Sequence, residues 1–168
     1  MANGTQYNLI FQNNSSNAWT AAVYQNDPDI GNPDVMSLAW FVKAATPTTT
    51  VQFQWTIDYS FVWSQTGQLI PGVIFSASQT WPADLSLTNQ VSFARLPSPN
   101  DPLGMLTFSN QTAGPHEGTL YINEKSSVPP NLASVGIGMS GAGTYVVPAQ
   151  PNILAAFTPH PNYWITFG

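Results

Sequence analysis

Residues 51–59 read Val-Gln-Phe-Gln-Trp-Thr-Ile-Asp-Tyr, with an apolar side chain at every odd position. A period of two is that of a β-strand with one buried face, because successive side chains of a strand point to opposite sides. Val51, Phe53, Trp55, Ile57 and Tyr59 therefore share a face. Comparable runs recur at 7–12, 19–25, 37–42, 60–64, 68–77, 90–96, 105–109, 119–123, 133–139, 144–147, 153–158 and 163–167. Between them stand turn-forming residues: Asp27-Pro28, Asn32-Pro33, Thr66-Gly67, and the stretches 97–102, 113–115, 128–131, 140–143 and 159–162. Fifteen prolines are spread through the chain. Each removes a backbone donor and clashes with a preceding helical turn, so helices of ordinary length have no room. One short turn is expected at 82–87, after Trp81. The Pro-rich stretch 97–102 is read as a crossover loop between sheets, since strand patterning resumes on both sides.

Many short strands with regular turns predict a single antiparallel β-sandwich over residues 1–168, of jelly-roll or Greek-key type, with a closed β-barrel as the second choice. At 168 residues a domain buries about 70 % of its unfolded surface, so it needs no covalent staples. The absence of cysteine agrees and excludes disulfides and thiolate metal sites.

Three basic and eight acidic side chains make up 7 % of the residues, against about 25 % in an ordinary soluble domain. Nine Phe, six Tyr and six Trp outnumber them. Such a surface is kept wet by amides and hydroxyls, and it offers few groups for proton transfer. The expectation is a protein of recognition or assembly, not an enzyme. A net charge of -5, with Lys43, Arg95 and Lys125 as the only cations, argues against nucleic acid, whose phosphates demand a basic patch. Anionic membrane surfaces are disfavoured for the same reason. No apolar stretch is long enough for a transmembrane helix. Residues 1–7 lack a basic segment leading into an apolar run, so the expected location is the cytoplasm, or outside the cell by a route without a classical signal peptide. Asn-x-Ser/Thr matches at Asn3, Asn13, Asn14 and Asn110 are read as chance in an Asn-rich chain.

The segment 26–34, Asn-Asp-Pro-Asp-Ile-Gly-Asn-Pro-Asp, holds three of the eight acids. Oxygen ligands on a turn-rich loop suit Ca²⁺, with Asp27, Asp29 and Asp34 as ligands. The spacing is not that of an EF-hand, and a solvated hairpin loop in which Asp and Asn cap their own turns is the simpler account. Residues 136–143, Gly-Ile-Gly-Met-Ser-Gly-Ala-Gly, match G-x-G-x-x-G, but a dinucleotide site needs a helix after the motif. The next residues, Thr144-Tyr-Val-Val-Pro148, have the pattern of a strand, so a glycine-rich hairpin is expected. His116, Glu117 and His160 lie on Gly/Pro loops and are read as surface residues. Asp58, Asp84, Asp101, Glu117 and Glu124 are scattered singly, whereas glycoside hydrolysis needs a pair of carboxylates.

The aromatics carry the remaining signal. Phe53 and Trp55 fall on an apolar strand face and are read as core. Trp40, Phe41, Tyr59, Phe61 and Trp63 cannot all face one way in strands, so some are expected to reach solvent or a partner. Exposed rings beside amides are what sugar-binding surfaces use, and Trp63, Trp81 and Trp164 are the stacking candidates. The same surface made contiguous serves a subunit interface.

The segments Val23-Tyr-Gln-Asn-Asp-Pro-Asp29 and Val35-Met-Ser-Leu-Ala-Trp-Phe41 resemble those of small bacterial β proteins, the family of the rhizosphere-expressed protein of rhizobia. The resemblance covers about the first third of the chain and brings no catalytic motif. In composition alone the chain is also similar to bacterial lectins that lack a signal peptide. The function expected is non-catalytic recognition of a neutral glycan. The alternative is a self-assembling subunit of a fibre, sheet or inclusion, a homo-oligomer favoured by low charge and open strand edges, which Lys43, Lys125 and prolines near strand ends can block. A membrane-active β toxin stands third.

Overall fold

The structure, a computed structural model, describes residues 5–25, 35–65, 69, 74–160 and 162–168. Among these there is no helix. The strands are β1 (Gln6–Gln12), β2 (Trp19–Gln25), β3 (Met36–Ser37), β4 (Phe41–Ala45), β5 (Thr50–Thr56), β6 (Tyr59–Ser64) and β7 (Gln79–Ala83). They continue with β8 (Gln90–Ser98), β9 (Asp101–Thr112), β10 (Leu120–Glu124), β11 (Ser134–Met139), β12 (Ala142–Pro148), β13 (Leu154–Phe157) and β14 (Tyr163–Phe167). They form four sheets, ordered β1-β5, β14-β2-β4, β3-β12-β11-β6-β7 and β13-β10-β8-β9. The fold is all-β, of the sandwich kind and not a closed barrel. Pairing is antiparallel except between β8 and β10, which run parallel.

Two hydrophobic clusters hold the sheets together. The first lies between the five- and four-stranded sheets, with Phe61 and Trp63 of β6 meeting Val91 and Phe93 of β8, Phe108 of β9, Ile122 of β10 and Phe157 of β13. The second lies between the narrower sheets and is dominated by rings: Trp40, Phe53 and Trp55, flanked by Phe11, Phe41, Tyr163 and Phe167. The predicted face of residues 51–59 is the observed one, since Phe53 and Trp55 are buried while Gln52 and Gln54 are exposed. The strand, however, stops at Thr56 and a new one starts at Tyr59. Between them Asp58 accepts the N–H of Ser140 on its carboxylate (2.8 Å).

Ser140 sits at the tip of the glycine-rich segment, which is a hairpin as read from sequence. Met139 pairs with Ala142, and the two turn residues have φ of 53° at Ser140 and 77° at Gly141. Positive φ at both positions is the turn that matches strand twist. This tip joins the two halves: Trp40 Nε1 donates to Met139 O (2.8 Å), and Thr56 N donates to Ser140 Oγ (3.2 Å).

Several local expectations are corrected. Residues 37–42 are not one strand but the end of β3 and the start of β4, with 38–40 irregular between them. The stretch 97–102 is not a crossover between sheets. Ser98 pairs with Asp101, so it is the tight turn of the β8–β9 hairpin within one sheet. Strand β7 runs through Pro82 to Ala83, and the turn comes after it, where the Asp84 carboxylate accepts Ser86 N (2.8 Å), Leu87 N (2.6 Å) and Thr88 Oγ1 (2.7 Å). Of the run 68–77, residues 74–77 are not strand and most of the rest lie outside the described residues.

Candidate functional site

The outer face of the β14-β2-β4 sheet is fixed by its register. Val23 points into the ring cluster, so by alternation Tyr24 and Ala22 point out. Trp164 pairs with Tyr24 across β14 and β2, and Val42 pairs with Ala22 across β2 and β4. Cross-strand partners share a face, which places Trp164, Tyr24 and Val42 together on the outside. On its inner side β14 is anchored by Tyr163, stacked on Trp40 (5.9 Å between centroids), and by Phe167 against Phe11 (5.1 Å). Burial among these rings pushes the Tyr163 phenol above its ordinary pKa. A neutral, packed inner face thus holds Trp164 outward, 65 % exposed.

Beyond Tyr24 and Val42 this face continues into a groove of about 1010 Å³. Its walls include Leu38, Trp40, Ile74, Phe75 and Ser76, with Ser37 and residues 141–143 below. Gly143 has a packing reason: a Cβ there would lie 3.1 Å from Leu38 Cδ1 and from Phe75 Cε1, so the absence of a side chain lets both settle against β12. None of the described side chains lining the groove carries a charge. The described lining is aromatic and aliphatic, with the hydroxyls of Ser37 and Ser76 as polar groups.

The three stacking candidates are not brought together. Trp164 lies on the outer face just described. Trp63 is 7 % exposed, packed on Phe93 (5.4 Å), with its Nε1 donating to Gln79 Oε1 (2.9 Å). No open ring face is left for a ligand, because β6 lies between β11 and β7 and is buried on both faces. Trp81, half-buried, packs edge-on against Phe108 (6.0 Å). Of Trp40, Phe41, Tyr59, Phe61 and Trp63, some of which were expected to reach solvent or a partner, Trp40, Phe61 and Trp63 are buried and Phe41 and Tyr59 are half-buried. Asp27, Asp29 and Asp34, the calcium candidates, lie outside the described residues.

Sequence reading missed Tyr24, Phe75 and the groove. Alternation in 19–25 does put Tyr24 opposite Val23, but only the pairing of the last strand with the second sets it beside Trp164. One further group is unusual. Glu124 is 1 % exposed; Oε2 accepts the N–H of Gln150 (2.7 Å), while Oε1 has no hydrogen-bond partner among the described residues. Burial pushes its carboxyl up to about 7, partly offset by the Gln150 N–H. It stands on β10 of the four-stranded sheet, and none of the described residues lining the groove belongs to that sheet. No helix among the described residues is long and apolar enough to cross a membrane.

The fold is all-β in a charge-poor chain, with two outward aromatics beside a groove. The RhiA family model matches residues 4–168, and Protein RhiA of Rhizobium leguminosarum bv. viciae is 43 % identical over 171 residues, spanning all of this chain and 70 % of that protein. The chain belongs to the RhiA family. The likeness read from the first third of the sequence thus extends over nearly the whole chain. No solved structure matches it.

Proposed function

We propose that this protein is a non-catalytic recognition module that binds a neutral carbohydrate, with Trp164 and Tyr24 as the stacking surface and the adjoining groove as the seat of the ligand. The observation that carries the reading is a groove with no charged side chain among its described lining residues, beside an in-register pair of outward aromatics. The apolar face of a pyranose gains from ring stacking, and a neutral polyhydroxyl ligand leaves no charge to be matched. Among the described lining residues a charged ligand would find no side chain of opposite charge, and its desolvation without one is unfavourable.

The test is a glycan array carrying neutral and charged oligosaccharides, then calorimetry on the hits. Neutral glycans should bind, and Trp164→Ala and Tyr24→Ala should each weaken binding by about tenfold or more, the loss of roughly one stacking contact. Absence of any glycan ligand, a strict preference for charged glycans, or wild-type affinity in both variants would refute the reading.

A further inference from the structure

We infer that β1 is a homodimer interface, its outer edge pairing antiparallel with β1 of a second copy about a two-fold axis at Leu9. Among the described residues β1 is bonded to β5 on one side only, and the sheet they form has two strands. A two-stranded ribbon is marginal alone, and three or more strands are the usual minimum for independent stability. Asn13 turns both its backbone groups towards the β5 side, donating to Thr49 O (2.9 Å) and accepting from Thr48 N (2.9 Å). Backbone direction alternates along an antiparallel strand. Phe11, Leu9 and Tyr7 therefore face β5, and the N–H and C=O groups of Gln6, Asn8, Ile10 and Gln12 face outward.

The other edges are shorter or obstructed. β3 has two residues and β13 four. β7 contains Pro82. On β9 the Phe108 N–H is already taken by Gln79 Oε1 (2.9 Å). β5 is as long as β1, but on its outer edge Gln52 O is taken by the Lys43 ammonium of β4 (2.5 Å). β4 and β14 have five residues each. β1 has seven, Gln-Tyr-Asn-Leu-Ile-Phe-Gln, with no charge, no proline and no glycine. These are the properties by which edges are left open to another strand.

The occupant is a second copy because the strand is self-complementary. A two-fold at Leu9 sets Asn8 opposite Ile10 and Gln6 opposite Gln12, the residues whose backbone groups point outward. It also sets Tyr7 opposite Phe11 on the inner face, an aromatic cross-strand pair of the favourable kind. Ile10, 65 % exposed on the outer face, would be covered. The product is a four-stranded sheet, β5-β1-β1-β5, with an isologous interface that closes on itself.

Light scattering after size exclusion, over a concentration series of the full chain, should give a species of twice the chain mass that dissociates on dilution. Ile10→Pro removes one outward N–H from each copy while leaving the β5 side intact, and should raise the dimer Kd by about tenfold or more through two lost ladder bonds. Ile10→Lys should act similarly by placing a cation on the uncharged seam, and it keeps the test open if the proline variant does not fold. Amide exchange at Asn8 and Ile10 should slow on dimerisation. A single-chain mass at every concentration, a dimer retained in both variants, or open-ended growth would overturn the proposal.

Discussion

Between the five- and four-stranded sheets the buried side chains are mainly aliphatic, interleaved with Phe and with Trp63, whereas between the two- and three-stranded sheets rings dominate. Wide sheets supply neighbours on both sides of each strand, so Val, Ile and Leu suffice to fill the space, and β6 and β11 are buried throughout. Narrow sheets have few interior positions. Aromatic side chains, which bury about 150–250 Å² each, let a small sheet reach a workable core. Trp164 and Tyr24 stand on the outside of the smaller half, and the groove lies where that half meets the five-stranded sheet, lined by Tyr24 and Val42 on one side and by Ser37 and Gly143 on the other. The larger half holds the more extensive core, and the smaller half presents the outward rings.

That division can be broken most forcefully in the larger cluster. Phe93 is fully buried, against Trp63 (5.4 Å) and Phe108 (5.6 Å). Phe93→Ala should cost about 3–5 kcal/mol, read as a fall in the midpoint of chemical unfolding with the whole molecule losing structure together. A variant of unchanged midpoint would remove this cluster from its assigned role.

Next in size is Glu124. Its folded carboxyl titrates at about 7, above the ordinary 4.5, so the folded state holds its proton to higher pH than the unfolded chain does. Stability is then fully present below the ordinary value and is lost as pH rises from there through the folded value. The loss is on the order of 3 kcal/mol at most. Thermal melts from about pH 4 to 8 should show Tm falling over that window, and Glu124→Gln should flatten the profile. An equally steep profile in the variant would assign the titration elsewhere.

The joint between the halves is weaker. Ser140→Ala removes the acceptor of the Thr56 N–H and should cost about 1 kcal/mol. If the halves are coupled chiefly through this tip, unfolding monitored by tryptophan fluorescence and by far-ultraviolet circular dichroism should cease to coincide. Coincident curves would show that the sheets hold each other without it. The smallest effect on stability, within about 0.5 kcal/mol, is expected for Trp164→Ala, which nonetheless should weaken glycan binding strongly. A large drop in Tm would make Trp164 a structural residue.

Much of the fold was legible because it rests on local chemistry. The period of two placed Phe53 and Trp55 inside, the glycines of 136–143 marked a hairpin, and proline density ruled out helices. The errors arose where one sequence signal has two tertiary outcomes. Prolines and an Asn between strands serve a tight hairpin as well as a crossover, and 97–102 is the former. Aromatics on both faces of a strand imply exposure only if one face meets water, and β6 is covered on both.

What the sequence alone determined is the class of the molecule: all-β, charge-poor, cysteine-free and rich in rings, since composition and period act residue by residue. Pairing decided the rest. Trp63, Trp81 and Trp164 are indistinguishable as sequence signals, yet one is packed between sheets, one is half-covered and one stands outside. The reason is that exposure belongs to a strand's place in its sheet. That place is set by partners far along the chain: β14 beside β2, β6 between β11 and β7, and β1 beside β5.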